Sequence, residues 1–307
     1  MDKRQSWYTW LSTLTLTVIV FKLFQSICFR RNKNFFKEKV VVITGASSGI
    51  GESLAHTFYR LGCKVILCAR RRQELERVQN DLLQMHSTVP VHPPVIMQVD
   101  LCNIDTFDQI VWTILDITGH IDILVNNGGI SCRGSINDTS NKVFMNLMMV
   151  NYFGTVAFTK AILPHMISRK QGHIVFMSSL QGLMAIPHRA AYGASKHAIQ
   201  AFSDSLRAEV AEDNINVTVV SPGYVRTSLS MNALTESGVK LGKMDSALSQ
   251  GYDPNYIAEK TALAILRNRN EIVLAPLLHR IAAVIRSNVP SLYFLIMEYR
   301  AKNSKDE

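Results

Sequence analysis

The sequence predicts an α/β fold with a doubly wound parallel sheet, and three observations support this class. Seven short runs of aliphatic and β-branched residues alternate along the chain with stretches that have apolar residues at three-to-four spacing. The runs are continuous rather than alternating, as expected of parallel strands that are buried on both faces. A glycine-rich segment follows the first run directly, which is where an α/β sheet commonly binds a ligand.

Strands and helices are placed from the length and periodicity of each run. The predicted strands are Val40–Thr44, Lys64–Cys68, Val95–Val99, Ile121–Val125, His173–Met177, Asn216–Val220 and Glu271–Leu274. The clearest predicted helices are Gly51–Arg60, Gln73–Met85 and Ala194–Glu212. Ligands of such sheets bind beyond the carboxyl ends of the strands, so polar residues there are candidate site residues.

The length of the chain, 307 residues, accommodates a single α/β domain with appendages. We expect a membrane anchor and basic linker over residues 1–38, the α/β domain over residues 39–275 and an apolar tail over residues 276–307.

Composition limits the partners of the chain. The net charge is +9, but the basic residues are scattered or lie beside the apolar N-terminus, without the basic and aromatic stripe that follows a nucleic-acid backbone. We therefore expect a membrane surface as the acidic partner, and not nucleic acid. The five cysteines lack C-x-x-C spacing, which favours free thiols over a zinc site or a disulfide framework, so no metal is expected.

The segment from Trp7 to Phe29 is almost uninterrupted in apolar and hydroxylic residues, and it predicts an N-terminal transmembrane helix. As a helix it would span about 34 Å, enough for a hydrocarbon core of about 30 Å. A cleaved signal peptide and a helix lying in the membrane interface are the alternatives. The basic residues that follow the segment favour a cytosolic α/β domain. They are Arg30, Arg31, Lys33 and Lys37, against Lys3 and Arg4 before it.

A glycine-rich loop predicts a site for the phosphates of a dinucleotide. The first strand runs into T-G-A-S-S-G-I-G, and Ser47 lies inside this loop. Gly45 permits a tight turn, while Gly49 and Gly51 let amides at the helix start approach a pyrophosphate. The glycine spacing differs from the G-x-G-x-x-G fingerprint. The assignment as a phosphate site is supported instead by the position of the loop between the first strand and the first helix of a Rossmann-type order.

The end of the second strand predicts NADP(H) as the cofactor. An NAD site would have a carboxylate there to bind the ribose 2′-hydroxyl, whereas this chain has C-A-R-R-R. Arg70 is the candidate partner of a 2′-phosphate. A solvated basic helix start is the alternative, and it is favoured for Arg71 and Arg72. Asp100, after the third strand, either accepts from the adenine amine or caps the next helix.

A tyrosine and a lysine one helical turn apart predict proton transfer. Tyr192 and Lys196 stand at i and i+4 in Y-G-A-S-K and share one helical face. The ammonium and an oxidised nicotinamide would lower the tyrosine pKa, making Tyr192 an acid in reduction and a base in oxidation. Ser179, at the tip of the fifth strand, can donate to a carbonyl or alkoxide oxygen. Asn151 and the turn Asn126–Gly129 add polar groups near the fourth strand.

Six motifs together resemble those of the short-chain dehydrogenase/reductases. They are T-G-A-S-S-G-I-G, N-N-G-G, V-N-Y-F-G, the serine of the fifth strand, Y-G-A-S-K and S-P-G-Y-V-R-T, in family order and spacing from about Val40 to Leu274. The resemblance implies hydride transfer between a nicotinamide cofactor and a carbonyl or alcohol. One departure is Gly128, where the family usually has alanine, and the missing methyl is expected to cost stability more than chemistry.

The resemblance also implies a tetrad and a role for each of its members. Asn151 would hold a water in a proton relay to Lys196, which would grip the nicotinamide ribose and lower the pKa of Tyr192. Ser179 would orient the substrate oxygen. The further cofactor residues implied are Ser48 and Ile50 in the glycine loop, Asn126 at the fourth strand tip and Thr227 near the carboxamide.

Two longer stretches, Q-G-L-M-A-I-P-H-R-A-A-Y-G-A-S-K-H-A and S-P-G-Y-V-R-T-S-L-S-M-N-A-L-T, resemble one membrane-bound branch of the family, as do the N-terminal apolar segment and the C-terminal P-S-L-Y-F-L-I-M. This closer likeness implies a single-pass protein of the endoplasmic reticulum membrane, or of the peroxisomal membrane. It also makes acyl- or alkyl-dihydroxyacetone phosphate a candidate substrate. We therefore expect a membrane-bound NADP(H)-dependent oxidoreductase that acts on a carbonyl or alcohol of a lipid-like substrate. The alternatives are a steroid or retinoid dehydrogenase and a non-catalytic nucleotide-binding regulatory protein, and the intact tetrad argues against the second.

Two apolar regions near the C-terminus have open interpretations. The segment after Thr227 is either a lid over a lipid-like substrate or ordinary core. The tail is interrupted by Pro290, so we expect a membrane-dipping amphipathic helix or a homodimer surface rather than a second span. The apolar residues of the first region are Met231, Leu234, Leu241, Met244 and Leu248.

Overall fold

A computed structural model describes residues 34–85, 92–229, 231–243 and 249–303. The chain divides into two compact units, Met1–Lys37 and Glu38–Glu307, and only residues 34–37 of the first are described. The predicted membrane segment from Trp7 to Phe29 lies outside the described residues. Within the described parts of the chain, no helix is both long and apolar enough to cross a membrane.

Seven parallel strands form one sheet in the order β3-β2-β1-β4-β5-β6-β7. All seven predicted strands are confirmed, and their ends differ from the prediction by two residues or fewer. Successive strands extend the sheet in one direction from β1 to β3 and in the other direction from β4 to β7. The boundary between β1 and β4 is therefore the switch point at which such sheets bind ligands. The strands are β1 (Val40–Thr44), β2 (Lys64–Ala69), β3 (Val95–Gln98), β4 (Ile123–Asn126), β5 (Gly172–Met177), β6 (Ile215–Pro222) and β7 (Glu271–Leu274).

Helices cover both faces of the sheet, as the strand–helix alternation predicts. Successive residues of a strand point to opposite faces; Val40 and Val42 pack in one core with residues of α3, α5 and α6, while α1 packs against α7. The helices are α1 (Gly49–Arg60), α2 (Arg72–Leu83), α3 (Phe107–Thr118), α4 (Asn141–Met148), α5 (Gly154–Arg169), α6 (Ala190–Glu209), α7 (Pro254–Leu266), α8 (Leu277–Asn288) and α9 (Pro290–Asn303).

The start of α6 corrects a boundary. The sequence predicts this helix from Ala194, whereas it begins at Ala190 and therefore includes Tyr192. Tyr192 and Gly193 interrupt the apolar period, which is why the first turn is missed from the pattern. Because both members of the Tyr192–Lys196 pair lie inside one helix, their one-turn separation is a real geometric constraint.

The apolar tail forms two helices separated by Val289. Pro290 has no amide hydrogen, so it cannot continue the hydrogen-bond ladder of α8 and instead begins α9. Tyr293 of α9 is buried, and its hydroxyl donates to the carbonyl oxygen of Ala185. The tail is thus fixed to the loop that precedes α6.

Candidate active site

A cavity of about 510 Å³ lies at the carboxyl ends of the strands around the switch point. The glycine loop, the end of β2, the N-N-G-G turn, the tip of β5 and the start of α6 form its walls. It brings together most of the residues that the sequence predicts. They are Gly45, Ser47, Ser48, Gly49, Ile50, Arg70, Asp100, Ser179, Tyr192, Lys196 and Thr227.

Three predicted residues lie behind this wall instead of lining it. The amide of Asn126 donates to Thr159 Oγ1 at 2.9 Å, so this buried side chain supports the tip of β4. Position 51 requires glycine, because a Cβ there would collide with the carbonyl oxygen of Gly45. Asn151, the third, is also buried.

The glycine loop has the backbone that only glycine adopts freely. Gly45 has a φ of 65° and Gly49 a φ of 60°, both in the left-handed region. Asn127, a residue that the sequence reasoning did not single out, ties this loop to the N-N-G-G turn. Its Nδ2 donates to the carbonyl oxygens of Thr44 at 3.0 Å and of Gly45 at 3.3 Å. The second asparagine of N-N-G-G is the signal that could have found it.

The space next to Gly128 is filled by the side chain of Leu101. A Cβ on Gly128 would lie 2.8 Å from Cδ1 of Leu101, so the leucine side chain occupies the space of the family's alanine methyl. The loss of packing expected from the sequence therefore does not arise at this position.

Two arginines, not one, line the cavity at the end of β2. Arg70 is exposed there, as predicted for a phosphate partner. Arg71 also lines the cavity, and its Nη2 donates to the hydroxyls of Ser47 at 3.1 Å and Ser48 at 3.2 Å. Arg71 is also exposed and is the N-cap residue of α2, so it lies at a solvated helix start and contacts the loop serines as well. Arg72 lies at the same helix start, with an ion pair to Glu76 on α2 at 2.9 Å.

Asp100 caps a turn rather than the next helix, and its role toward adenine stays a prediction. Its Oδ1 accepts from the backbone amide of Cys102 at 3.0 Å, which caps the turn after β3. The residue also lines the cavity, near the arginines of β2.

Tyr192 lies in the first turn of α6 with its hydroxyl hydrogen-bonded to Ser179. Ser179 Oγ also accepts from the amide of Gln181 at 3.1 Å, which fixes the serine rotamer. Burial raises the pKa of Tyr192, whereas the bond from Ser179 and the charges of Arg189 and Arg133 lower it. The net direction is upward, so the phenol is protonated at neutral pH.

The lowering expected from the sequence includes the charge of an oxidised nicotinamide. For the protein alone, the cost of burying the phenolate exceeds the benefit of nearby positive charges. Lys196 Nζ lies 5.8 Å from the centre of the Tyr192 ring and donates to the carbonyl oxygen of Met177 at 2.8 Å. Burial lowers the lysine pKa from 10.5 to about 8. The lysine is therefore poised to exchange a proton near physiological pH.

Asn151 braces the site from a five-residue π-helical turn, Met149–Phe153, between α4 and α5. Its side chain exchanges two hydrogen bonds with the backbone of Ile130, at 2.8 and 2.9 Å, and donates to Ser195 Oγ at 2.9 Å. Ser195 in turn donates to the carbonyl oxygen of Tyr192 at 2.8 Å. The serine inside Y-G-A-S-K, which sequence reasoning overlooked, thus links Asn151 to the catalytic turn.

The segment after Thr227 forms part of the cavity wall. Leu234 lines the cavity and packs with the apolar group around Tyr192, and its backbone bonds to Ser131 and Arg133 at 2.8 Å. Met231 is 44% exposed and does not pack there. Leu234 therefore covers the tyrosine. Leu241 is half-buried, whereas Met244 and Leu248 lie outside the described residues.

A family model described as short chain dehydrogenase matches residues 39–238. The chain is a short-chain dehydrogenase/reductase. This short-chain dehydrogenase is 53% identical over 302 residues to Dehydrogenase/reductase SDR family protein 7-like of Anopheles gambiae, with 97% of this chain and 95% of that protein covered. It is 42% identical over 287 residues to Dehydrogenase/reductase SDR family member 7B of Bos taurus, with 93% and 88% covered.

Solved structures agree with the family. A short chain dehydrogenase/reductase from Burkholderia phymatum in complex with NAD has a TM-score of 0.75 and 23% identity, over 84% of this chain and 95% of that one. A metagenomic short-chain oxidoreductase in complex with NADP has a TM-score of 0.64 and 27% identity, over 78% and 99%. This short-chain dehydrogenase is therefore an oxidoreductase with a site for NAD or NADP.

Proposed function

We propose that this short-chain dehydrogenase is a membrane-bound, NADP(H)-dependent reductase of a carbonyl in a lipid-like substrate. The observation that carries the chemistry is the buried Tyr192 with its hydroxyl bonded to Ser179 inside the cavity. A general acid must hold its proton until the substrate is in place, and a raised pKa ensures this.

Each group of the tetrad has a defined task in this proposal. The carbonyl oxygen of the substrate would accept hydrogen bonds from Ser179 and Tyr192, and Tyr192 would give it a proton. Bound NADPH would supply the hydride for the carbonyl carbon. The phenolate is stabilised by the bond from Ser179 and by nearby positive charge. Lys196, whose pKa is about 8, then supplies the next proton. Asn151 positions the turn through Ser195.

The preference for NADPH rests on charge at the end of β2. Arg70 and Arg71 line the cavity there, next to the glycine loop that would hold the pyrophosphate. Guanidinium groups bind phosphate oxygens with strong charge-assisted hydrogen bonds. Arg70 would bind the 2′-phosphate, and Arg71 would keep the two loop serines in position.

The substrate proposal rests on a second pair of arginines. Arg133 and Arg189 line the cavity and lie near enough to Tyr192 to lower its pKa. Apolar side chains line the same cavity, among them Met184 and Leu234. An anionic headgroup joined to an apolar chain suits such a wall. This combination favours a phosphorylated lipid ketone, such as acyl- or alkyl-dihydroxyacetone phosphate, over a neutral steroid or retinoid.

The membrane proposal rests on the N-terminal sequence. Residues 7–29 have the length and the interfacial aromatic residues of a single span, and basic residues follow them. We infer an uncleaved anchor in the membrane of the endoplasmic reticulum.

Turnover by the purified full-length chain tests the chemistry. With NADPH we expect reduction of an acyl-dihydroxyacetone phosphate, and Tyr192→Phe should lower kcat by about 10²-fold or more because the general acid is lost. Circular dichroism and NADPH binding of the variant should match the wild type. Turnover that survives Tyr192→Phe would contradict the mechanism.

A matched pair of ketones, with and without the phosphate, tests the substrate class. Arg189→Gln should raise KM for the phosphorylated ketone about tenfold or more, the scale of a lost charge-assisted bond, and leave KM for the neutral analogue unchanged. Arg267→Gln, at an exposed position outside the cavity lining, is the control. Equal changes for both ketones would remove the argument for an anionic headgroup.

A further inference from the structure

The two C-terminal helices expose apolar faces that the rest of the described protein does not cover. On α8 this face consists of Leu277, Leu278, Ile281 and Val284, which are between 44% and 74% exposed. On α9 it consists of Leu292, Leu295, Ile296 and Tyr299, which follow the i, i+3, i+4, i+7 spacing of one helical face and are between 44% and 71% exposed.

These faces are not needed to hold the helices on the protein. A different face of each helix does that, through Ala282 and Ala283 on α8 and Tyr293 and Met297 on α9, which pack against the loop after β5. A surface helix of a water-soluble domain normally has one apolar face and one polar face. Large exposed apolar surfaces instead mark contacts with a partner or a membrane.

The charge of the helices identifies the chemistry of the partner. The sequence of α8 contains no aspartate or glutamate, and α9 contains only Glu298. Arg280 and Lys302 are exposed basic side chains on these helices, whereas Arg286 packs on α9 with its guanidinium 5.1 Å from the ring centre of Phe294. Exposed basic residues beside an apolar face bury their stems while their charges reach anionic headgroups. The basic residues are Arg280, Arg286, Arg300 and Lys302.

A second copy of the chain fits this surface less well. A two-fold dimer would bring the same patch of each copy together, and therefore basic residues against basic residues. Like charges across an interface oppose association. An anionic bilayer matches both the apolar residues and the positive charge.

The same helices border the cavity. His279 of α8 and Arg300 of α9 both line it. The His279 ring packs edge-on against Tyr224 with 5.8 Å between ring centres, and Arg300 Nη2 donates to the Tyr224 hydroxyl at 3.3 Å. The apolar faces therefore adjoin one edge of the substrate site.

We propose that α8 and α9 lie in the interface of an anionic bilayer and hold this edge of the cavity against it, so that a lipid ketone enters without crossing water. The entry route rests on the proposed function, whereas the membrane contact does not. It is a contact additional to the N-terminal segment, and it makes the bilayer part of the path to Tyr192.

Site-specific quenching in proteoliposomes of the full chain tests the contact. A polarity-sensitive fluorophore is attached to Leu295→Cys or, as the control, to Ile117→Cys on α3, which is 53% exposed. Both carry Cys28→Ser and Cys102→Ser to avoid other labelling. An interfacial helix lies about 5–10 Å deep, so nitroxide acyl chains should quench the label at position 295 at least about threefold more than that at position 117. Quenching should increase when phosphatidylserine replaces phosphatidylcholine.

Two results would overturn the proposal. One is equal quenching at positions 295 and 117. The other is an apolar environment at position 295 without lipid quenching, together with cross-linking between Leu295→Cys copies, which would identify a second copy as the occupant. Turnover of the same samples in detergent is recorded separately, so failure of the contact and failure of the proposed reaction are distinguishable.

A separate double variant tests the entry route. Leu292→Asp with Leu295→Asp should abolish most turnover of a ketone embedded in the bilayer and leave turnover of a water-soluble short-chain ketone unchanged. Both positions are exposed, so the fold should tolerate the charges. Equal turnover of the embedded ketone by wild type and variant would exclude this route.

Discussion

Lys196 and Tyr192 are both buried, and their burial has opposite effects on their charges. The lysine pKa is lowered to about 8 and the tyrosine pKa is raised. Both shifts favour the neutral form of the side chain. The site therefore holds a proton on the phenol and releases one easily from the ammonium, which suits a residue pair that passes a proton toward a carbonyl oxygen.

The buried ammonium should lower the stability of the protein. Below pH 8 the folded chain holds a charged Lys196 that would be better solvated when unfolded. At one pKa unit per 1.36 kcal/mol, the shift corresponds to roughly 3 kcal/mol. A variant without the ammonium would also lose the hydrogen bond to the Met177 carbonyl, which would offset about 1 kcal/mol of this gain in stability. Lys196→Met should therefore raise the free energy of unfolding at pH 7 by about 1–2 kcal/mol while abolishing turnover.

The direction of the lysine pKa shift determines how stability changes with pH. Between about 8 and 10.5 the unfolded chain binds more protons than the folded one, so wild-type stability rises with pH in this window. The advantage of Lys196→Met should shrink over the same window in urea denaturation. Lys160→Met, at an exposed position of α5, is the control. A variant less stable than wild type at pH 7 would contradict the expected cost.

Variants of the two arginines after β2 should distinguish selection of the cofactor from support of the glycine loop. Arg70→Ala should raise the Kd of NADPH about tenfold or more, the scale of a lost charge-assisted bond, and leave the Kd of NADH nearly unchanged. Arg71→Ala should weaken both cofactors, because Ser47 and Ser48 lose their shared donor. Arg72→Ala is the matched control, and calorimetric titration measures all three. Equal losses for NADPH and NADH in Arg70→Ala would refute its role.

Sequence spacing could predict which residues meet but not their electrostatics. The one-turn separation of Tyr192 and Lys196 follows from helical geometry. The direction of the tyrosine pKa could not be predicted, because it depends on burial by loops distant in sequence. The contact of Arg71 with Ser47 could not be predicted for the same reason: it joins residues 24 positions apart.

At the scale of elements, β5 and β6 share a buried polar contact. His173 of β5 and Thr218 of β6 lie 2.8 Å apart between Nε2 and Oγ1, and the threonine hydroxyl donates to the carbonyl oxygen of Arg269 at 2.6 Å. The histidine is therefore the donor to the threonine. Burial lowers its pKa from 6.5 to about 4, so it is neutral at physiological pH.

This contact predicts a step in acid stability. Between about 6.5 and 4 the unfolded chain takes up a proton that folded His173 resists, so its contribution is complete above pH 6.5 and is lost on acidification. The loss has an upper bound of roughly 3 kcal/mol. His173→Gln should lose less stability than wild type between pH 7 and 4.5 in urea denaturation, with the exposed His197→Gln as control. An equal loss in wild type and His173→Gln would refute the assignment.

Strands were predicted more accurately than helix ends because buried parallel strands have an unambiguous composition. The first turn of α6 was missed because cavity-lining side chains there replace the apolar period. The division of the tail into α8 and α9 follows from Pro290. The π-helical turn around Asn151 has no sequence signal of its own.

At the scale of the whole molecule, strand–helix alternation predicts a doubly wound parallel sheet, because short right-handed connections leave few alternatives. The order of the strands is known from the structure. A cytosolic position of the α/β domain stays a prediction from the sequence. It depends on the small excess of basic residues after residue 29.

Protease treatment of sealed microsomes tests this orientation. We expect the α/β domain to be digested without detergent, because the basic residues after the span favour the cytosolic side. A luminal marker protein should remain intact in the same sample. Protection of the domain until detergent is added would reverse the orientation.

The bond between Tyr293 and the Ala185 carbonyl joins the last helix to the loop between Ser179 and Tyr192. A ligand that shifts this helix must therefore shift the loop that orients the two catalytic hydroxyls. Thermodynamic linkage makes such an effect reciprocal: whatever binds α9 and changes the affinity of the cavity is itself bound more or less tightly, by the same factor, when the cavity is filled. If the tail binds a membrane in this way, substrate in the cavity would change the strength of that binding by the same factor.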